Sequence, residues 1–232
     1  MRLEEREEMQ RLPLLAAANP ERLATLLCGS FLQRFPAHVE LVREGEPADF
    51  LHLIVDGDVE VFSRSGGRET TIAILSRNET FIVAAVVTDR PYLKSARTLT
   101  PARILMIPAQ TVRQTAEQDA GFSYELLREL ARSYRNIVKE LKNQKLRTSL
   151  ERLAAWILHT DLELGGTGAF ELPYEKKVLA ARIGVAPEVF SRCLAALKAY
   201  EVTVNGKKIS IGSRDVLAKV ARPDCLIDDP ER

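Results

Sequence analysis

The stretch VLAARIGVAPEVFSRCLAAL, residues 178–197, carries the most information in this chain. Ala180 and Gly184 are four apart, which fits a small residue where two helices cross and a glycine in the turn between them. Leu179, Ile183, Val185, Phe190 and Cys193 fall where a helix-turn-helix buries its core. Pro187 opens the second helix, although Ala186 before it has no side chain able to cap. On that second helix Glu188, Ser191 and Arg192 lie three and four apart and share one face, away from Phe190 and Cys193. Such a face suits a major groove. Arg bonds guanine O6 and N7 together, Glu accepts from cytosine N4, and Ser adapts.

The flanking sequence extends this reading. In EVTVNGKKISI, Asn205-Gly206 sits between two strand-like runs and predicts a two-residue hairpin, the wing, with Lys207 and Lys208 in reach of phosphates. Lys176 stands just before the first helix of the motif. From Tyr174 to Arg214 there are eight basic and three acidic side chains. The whole chain carries 33 Lys and Arg against 32 Asp and Glu, a formal charge of +1. A generally basic coat is excluded, and the excess sits where phosphates would be met. Upstream, SLERLAAWILHTDLEL predicts a helix with Leu150, Leu153, Ile157 and Leu158 on its core face. GGTGAFELP predicts a turn and short strand, and the end, CLIDDPER, reads as frayed.

From about Ala109 to Gln144 there is no proline and one glycine, Gly121. Leu127, Ala131, Tyr134, Val138, Leu141 and Lys145 alternate spacings of four and three, a heptad seam. Leu130 and Ile137 flank it as if packed on the strand-rich region. A lone helix this long would be unstable with its seam in water, so residues 111–148 are expected to form a dimerisation helix. The blander reading is an amphipathic helix lying on its own domain.

The first 110 residues read as strands behind one short helix. Asn19-Pro20-Glu21 has the form of a helix start: a side-chain cap, proline in the first turn, then an acid near the positive end. Breaks at Gly45-Glu46-Pro47, Asp56-Gly57-Asp58 and Gly66-Gly67 punctuate short apolar runs, Ile72 and Ile74 share a face, and ARILMIP is a further strand. Turns recurring roughly every ten residues imply an antiparallel barrel or roll. The expected class is α+β in three parts: an N-terminal β-roll sensor domain with its helix (1–110), the dimerisation helix (111–148) and a winged helix-turn-helix domain (149–232).

Composition narrows the functional classes. Hydrophobic residues are 46% and charged residues 28% of 232, which are globular proportions. No apolar run approaches the ~18 residues of a membrane span. MRLEEREEMQRLPLL lacks the apolar stretch of a secretory signal, and a cytoplasmic protein is expected. Cys28, Cys193 and Cys225 are odd in number and far apart, with no C-x-x-C spacing, and His38, His52 and His159 are scattered. No metal site and no catalytic residue are expected, since neither a His-x-His pair nor a paired acid motif is visible. The alternative to DNA binding is a ligand-binding regulatory module without direct DNA contact, which leaves the PEVFSR face and the wing unexplained.

At this point the chain resembles the Crp/Fnr family of bacterial transcription regulators over nearly its whole length. GEPADFLHLIVDGDVEVF is similar to the family's roll signature, and Glu188, Ser191 and Arg192 resemble the Fnr-type recognition helix. The resemblance implies a homodimer on a TTG-type palindrome, with RNA polymerase as a partner if the protein activates. PEVFSR is similar to Dnr- and NnrR-type regulators, which respond to nitric oxide. Cyclic-nucleotide binders in the family carry Gly-Glu and then Arg-Ser. Here FIVAAVVTDRPYLKSA has Val83 and Ala84 at the first pair and Lys94-Ser95 at the second. Cyclic AMP binding is therefore not expected, and without a cysteine cluster neither is an iron–sulfur centre. The expected effector pocket is lined by Phe81 to Val87, with Lys94 at its mouth. Three readings of its unknown small-molecule signal stand open: a haem on His38 or His52, an organic acid paired by Lys94, and no ligand at all, with the protein constitutively competent. The commoner reading of both histidines is metal-free. Cys193 beside Arg192 is a candidate oxidant sensor, against the plainer reading of a small buried hydrophobe.

Overall fold

The computed structural model describes residues 2–229. It divides into two compact units, Met1–Tyr134 and Arg135–Arg232, each built around its own apolar core.

The first unit opens with helices α1 (Leu3–Gln10), α2 (Pro13–Ala16) and α3 (Pro20–Cys28). Asn19 caps α3 as its sequence requires, its Oδ1 accepting the Arg22 N–H at 3.0 Å. The charged opening segment also feeds the core, burying Met9, Leu12, Leu14 and Leu15. Eight strands follow: β1 (Phe31–Phe35), β2 (Glu40–Val42), β3 (Phe50–Asp56), β4 (Val59–Ser65), β5 (Arg68–Leu75), β6 (Thr80–Phe81), β7 (Ser95–Thr98) and β8 (Ala102–Pro108). They form two four-stranded antiparallel sheets, β1-β8-β3-β6 and β2-β7-β4-β5. Leu51, Leu53, Val59, Val61, Ala96, Ile104 and Ile107 are buried in the shared core. Ser65 pairs with Arg68 across Gly66-Gly67, both at positive φ, a two-residue hairpin loop. Gly57 is obligatory: its φ is +84°, and a Cβ there would lie 2.5 Å from the Pro101 carbonyl oxygen.

A short helix α4 (Val83–Thr88) joins the two sheets, and α5 (Ala109–Gln118) and α6 (Ala120–Leu146) follow β8. The single helix expected over 111–148 is thus two, and its second part stops short of 148. Asp119 breaks it with extended backbone, φ −134° and ψ 105°. Its carboxylate accepts the Phe122 N–H at 3.0 Å and the Asn19 N–H at 2.7 Å, so it caps α6 and ties it to the start of α3. Gly121 is needed beside it, because a Cβ would fall 2.5 Å from the Ala17 carbonyl oxygen. The division between the two units falls inside α6.

The second unit contains α7 (Ser149–Glu163), β9 (Ala169–Glu171), α8 (Lys176–Ile183), α9 (Pro187–Ala196), a 3₁₀ turn (Leu197–Tyr200), β10 (Val202–Asn205), β11 (Lys208–Ile211) and α10 (Arg214–Ala221). Leu153, Ile157, Phe170, Leu179, Ile183, Phe190, Leu194, Ile209 and Leu217 form its core. Thr148 starts α7 with a capping box: Glu151 Oε2 accepts the Thr148 N–H at 2.7 Å. The wing is a hairpin, shifted by one residue from expectation. Asn205 pairs with Lys208, so Gly206 and Lys207 are the loop residues. Gly206 takes φ +62° at the first loop position, a role open to glycine at little cost. Of the tail CLIDDPER, expected to be frayed, the described part from Cys225 to Asp229 is folded, and residues 230–232 lie outside the described residues. Leu226, Ile227 and Asp228 close a turn on Asp224, with bonds of 2.7–2.9 Å.

Candidate nucleic-acid interface and effector region

Gly184 ends α8 in the left-handed conformation, φ 73° and ψ 42°, which frees the chain to turn sharply into α9. Ala186 is the N-cap of α9 and makes no side-chain cap. Phe190 and Leu194 anchor α9 in the core, while Glu188, Ser191 and Arg192 are exposed together on its outer face. The Ser191 hydroxyl donates to the Pro187 carbonyl at 3.0 Å, leaving its lone pairs to accept. Lys176 on α8, Lys207 at the wing tip and Lys208 on β11 are also exposed. Among the described residues no ion pair ties up Glu188, Arg192 or these three lysines. Arg214 differs from them. Its Nε is held by the buried Asp161 carboxylate at 2.7 Å and its Nη2 by the Gly166 carbonyl, so it braces the wing's base rather than offering a free cation. Cys193 is half-buried, and burial pushes its thiol pKa up against the pull of Arg192 and Arg152. That disfavours the thiolate an oxidant sensor needs.

Along α6, Leu127, Ala131, Tyr134, Val138 and Leu141 are all exposed and form the expected stripe. Leu130 packs on the first core as anticipated. Ile137 does not: it is 54% exposed and joins the stripe.

The effector region is more closed than the sequence implied. Val83, Ala85 and Val86 are buried in the first core, whereas Ala84 and Val87 face solvent. Helical periodicity in α4 therefore splits the run expected to line one pocket. Ser95 is buried, and its Oγ accepts the Glu44 N–H at 3.0 Å. Farther along β7, Arg97 is neutralised by Glu60 and Glu69, at 2.7 and 2.8 Å. Lys94 has no hydrogen bond or ion pair among the described residues, and burial lowers its pKa. His38 is exposed on a turn. His52 is enclosed in β3, with its ring stacked on Phe81 at 4.8 Å. The two histidines thus occupy different environments. Among the described residues, no group of three or more His, Cys, Asp or Glu is placed to hold a metal ion.

Residues 32–119 match the model of the cyclic nucleotide-binding domain, and residues 151–220 that of the Crp-like helix-turn-helix domain. The chain is a Crp/Fnr family regulator. This Crp/Fnr regulator is 26% identical over 223 residues to the CRP-like cAMP-activated global transcriptional regulator of Mycobacterium tuberculosis, covering 93% of this chain and 99% of that protein. Its fold is that of FixK2 from Bradyrhizobium japonicum (20% identity, 84% of this chain and 98% of that one, TM-score 0.72). DNR from Pseudomonas aeruginosa shares the fold at 22% identity over 95% and 98% of the chains, with a TM-score of 0.50. The M. tuberculosis relative is by name a transcriptional regulator, and the Crp-like helix-turn-helix match groups this chain with such regulators rather than with enzymes. No helix among the described residues is long and apolar enough to cross a membrane.

Proposed function

We propose that this Crp/Fnr-type DNA-binding regulator works as a homodimer, setting two copies of α9 into the major groove of a TTG-type palindrome in answer to a signal that is not a cyclic nucleotide. The observation that carries the reading is the outer face of α9. Glu188, Ser191 and Arg192 stand exposed, and neither charged member of the set has an ion-pair partner among the described residues. Arg192 reads a guanine, Glu188 a cytosine amine on the paired strand, and Ser191 supports one or the other. Lys176, Lys207 and Lys208 meet phosphates and supply sequence-independent affinity. The exposed stripe Leu127, Ala131, Tyr134, Val138 and Leu141 is the dimer seam, and it sets half-sites about one helical turn apart. RNA polymerase is a further partner if the protein activates.

The test is gel retardation on a TTGAT-type palindrome at fixed salt. The intact protein is expected to retard it in preference to random duplex. Arg192→Ala should cost ~1–3 kcal/mol at one base pair of each half-site. Equal loss on random DNA would remove Arg192 from base readout. Lack of retardation of any duplex would favour a regulatory module that never touches DNA.

The residues around α4 do not fit a cyclic nucleotide. No carboxylate stands at Val83 or Ala84 to hold a ribose, and the Val83 side chain is turned into the core. Lys94 offers a point charge in place of a bidentate fork. An unpaired, partly desolvated ammonium suits a small carboxylate, so an organic acid is the favoured signal. Haem is the less suited candidate, because His52 would have to give up its stack on Phe81 and leave a packed sheet.

A further inference from the structure

The break between α6 and α7 is only two residues long, Arg147 and Thr148. Two buried arginines and the carboxylates of Glu151 and Asp228 meet there. Arg152, 8% exposed on α7, donates from Nε to the Ile183 carbonyl and from Nη1 to the Arg147 carbonyl, both at 2.8 Å. Longer contacts of 3.5 Å reach the Gln144 and Gly184 carbonyls. These oxygens belong to the ends of α6 and α8 or lie just past them, the negative poles of two helices. One guanidinium thus joins the end of α6 to the turn that precedes the recognition helix. Among the described residues it has no carboxylate partner. Gln144 lies in the same joint: its amide donates to Ile183 O at 3.3 Å, and a Cβ on Gly184 would fall 2.6 Å from its Nε2 and Oε1.

Arg147, whose carbonyl serves Arg152, has its own guanidinium gripped from the segment beyond α10. Asp228 chelates it through two bonds of 2.7 and 2.6 Å. The Arg222 carbonyl and Asn143 Oδ1 accept from it as well, at 3.0 and 3.3 Å. Asp228 is itself pre-set, since its Oδ2 accepts the Asp224 N–H at 2.8 Å. Contacts therefore run without a gap from Asp228 through Arg147 and Arg152 to Ile183 and Gly184.

We propose that Asp228 is a positioning residue for DNA recognition, holding the α6–α7 elbow rigid through Arg147 so that the α8–α9 turn keeps one orientation on the end of α6. The proposal rests on the reading of the chain as a dimer on a palindrome. Its consequence is specific to two-site docking. A rigid elbow presents two recognition helices at the spacing of the palindrome in advance, and a loose one must be ordered at each binding event. A single half-site makes no such demand.

The experiment measures affinity for a full palindrome and for a duplex with one intact half-site, using the full chain and Asp228→Asn, with Asp228→Glu as the conservative variant. For Asp228→Asn the palindrome affinity is expected to fall by about tenfold, the loss of a charge-assisted pair. Half-site affinity should stay within about twofold of the original, and Asp228→Glu should recover most of the palindrome affinity. Sedimentation and a thermal melt confirm that each variant is dimeric and folded. Equal loss on both duplexes would mean that Asp228 only stabilises the unit, and no loss on either would mean that it does nothing for recognition; both overturn the proposal. If the unaltered protein bound neither duplex, the DNA-binding reading would fail first.

Discussion

His52 sits at the centre of β3, 2% exposed, with an Nδ1 that finds no partner. Burial lowers its pKa from 6.5 to about 4. The unfolded chain binds this proton below pH 6.5 and the folded chain only below about 4. Between those values the unfolded state holds more protons, so stability falls as pH falls. His52→Leu removes both the linkage and the unpartnered ring nitrogen. Thermal melts should show a variant more stable than the parent at pH 5, with the loss from pH 6.5 to 4 shallower by roughly 3 kcal/mol. Parallel curves would refute the assignment. Ala186 is the opposite case, a missing partner at the surface: α9 begins with Pro187 and lacks a side-chain cap. Ala186→Ser should raise the urea midpoint by a stability gain of about 1 kcal/mol. An unchanged midpoint would mean that the α9 N–H groups are already satisfied. Both features stand in the sequence as letters, but only the alanine was readable there. That His52 is sealed against Phe81 depends on β3 pairing with β6 across 29 residues, which no local pattern encodes.

Among the elements, α6 carries the sharpest expectation. Its heptad spacing was visible because a helix face repeats regularly, and the residues at those spacings are exposed, as are all of residues 131–138. Its start was not visible, because Asp119 breaks the run through a bond to Asn19, 100 residues earlier. Tyr134 and Leu141 are 68% and 55% exposed, so charge at either should leave the fold intact. Tyr134→Glu with Leu141→Glu is expected to shift sedimentation from dimer to monomer with an unchanged circular-dichroism spectrum, and to abolish palindrome binding. A doubly substituted protein that remained dimeric would move the seam elsewhere. The wing teaches a smaller lesson. Asn205-Gly206 signals a hairpin, but the flanking Val202–Ile211 and Val204–Ile209 pairs put Asn205 in the ladder and Lys207 at the tip. Burial of Val202 and Ile209 sets that register, and a slip of one residue would turn both outward.

At the scale of the molecule, a signal in the first unit alters DNA binding by the second only if the ligand binds two states unequally. The chemistry of the first unit decides which ligands can do so. With Val83 and Ala84 in place of a ribose contact, titration of cyclic AMP into the protein by calorimetry is expected to give no saturable heat at millimolar ligand. Micromolar binding would overturn the proposed signal, whatever the DNA-binding result.

Much of this protein was determined by local sequence alone. The α+β class, the antiparallel sheets, the helix-turn-helix and the outward set of Glu188, Ser191 and Arg192 follow from periodicity and turn chemistry, which act over a few residues. What only the tertiary structure decided are the contacts that close over long stretches of chain. These are the break at Asp119, the inward turn of Val83, the enclosure of His52, and the folding back of Asp228 onto Arg147, 81 residues away. The physical reason is the same in each: a side chain's partner there is chosen by packing and charge in three dimensions, and neighbouring residues carry no trace of it.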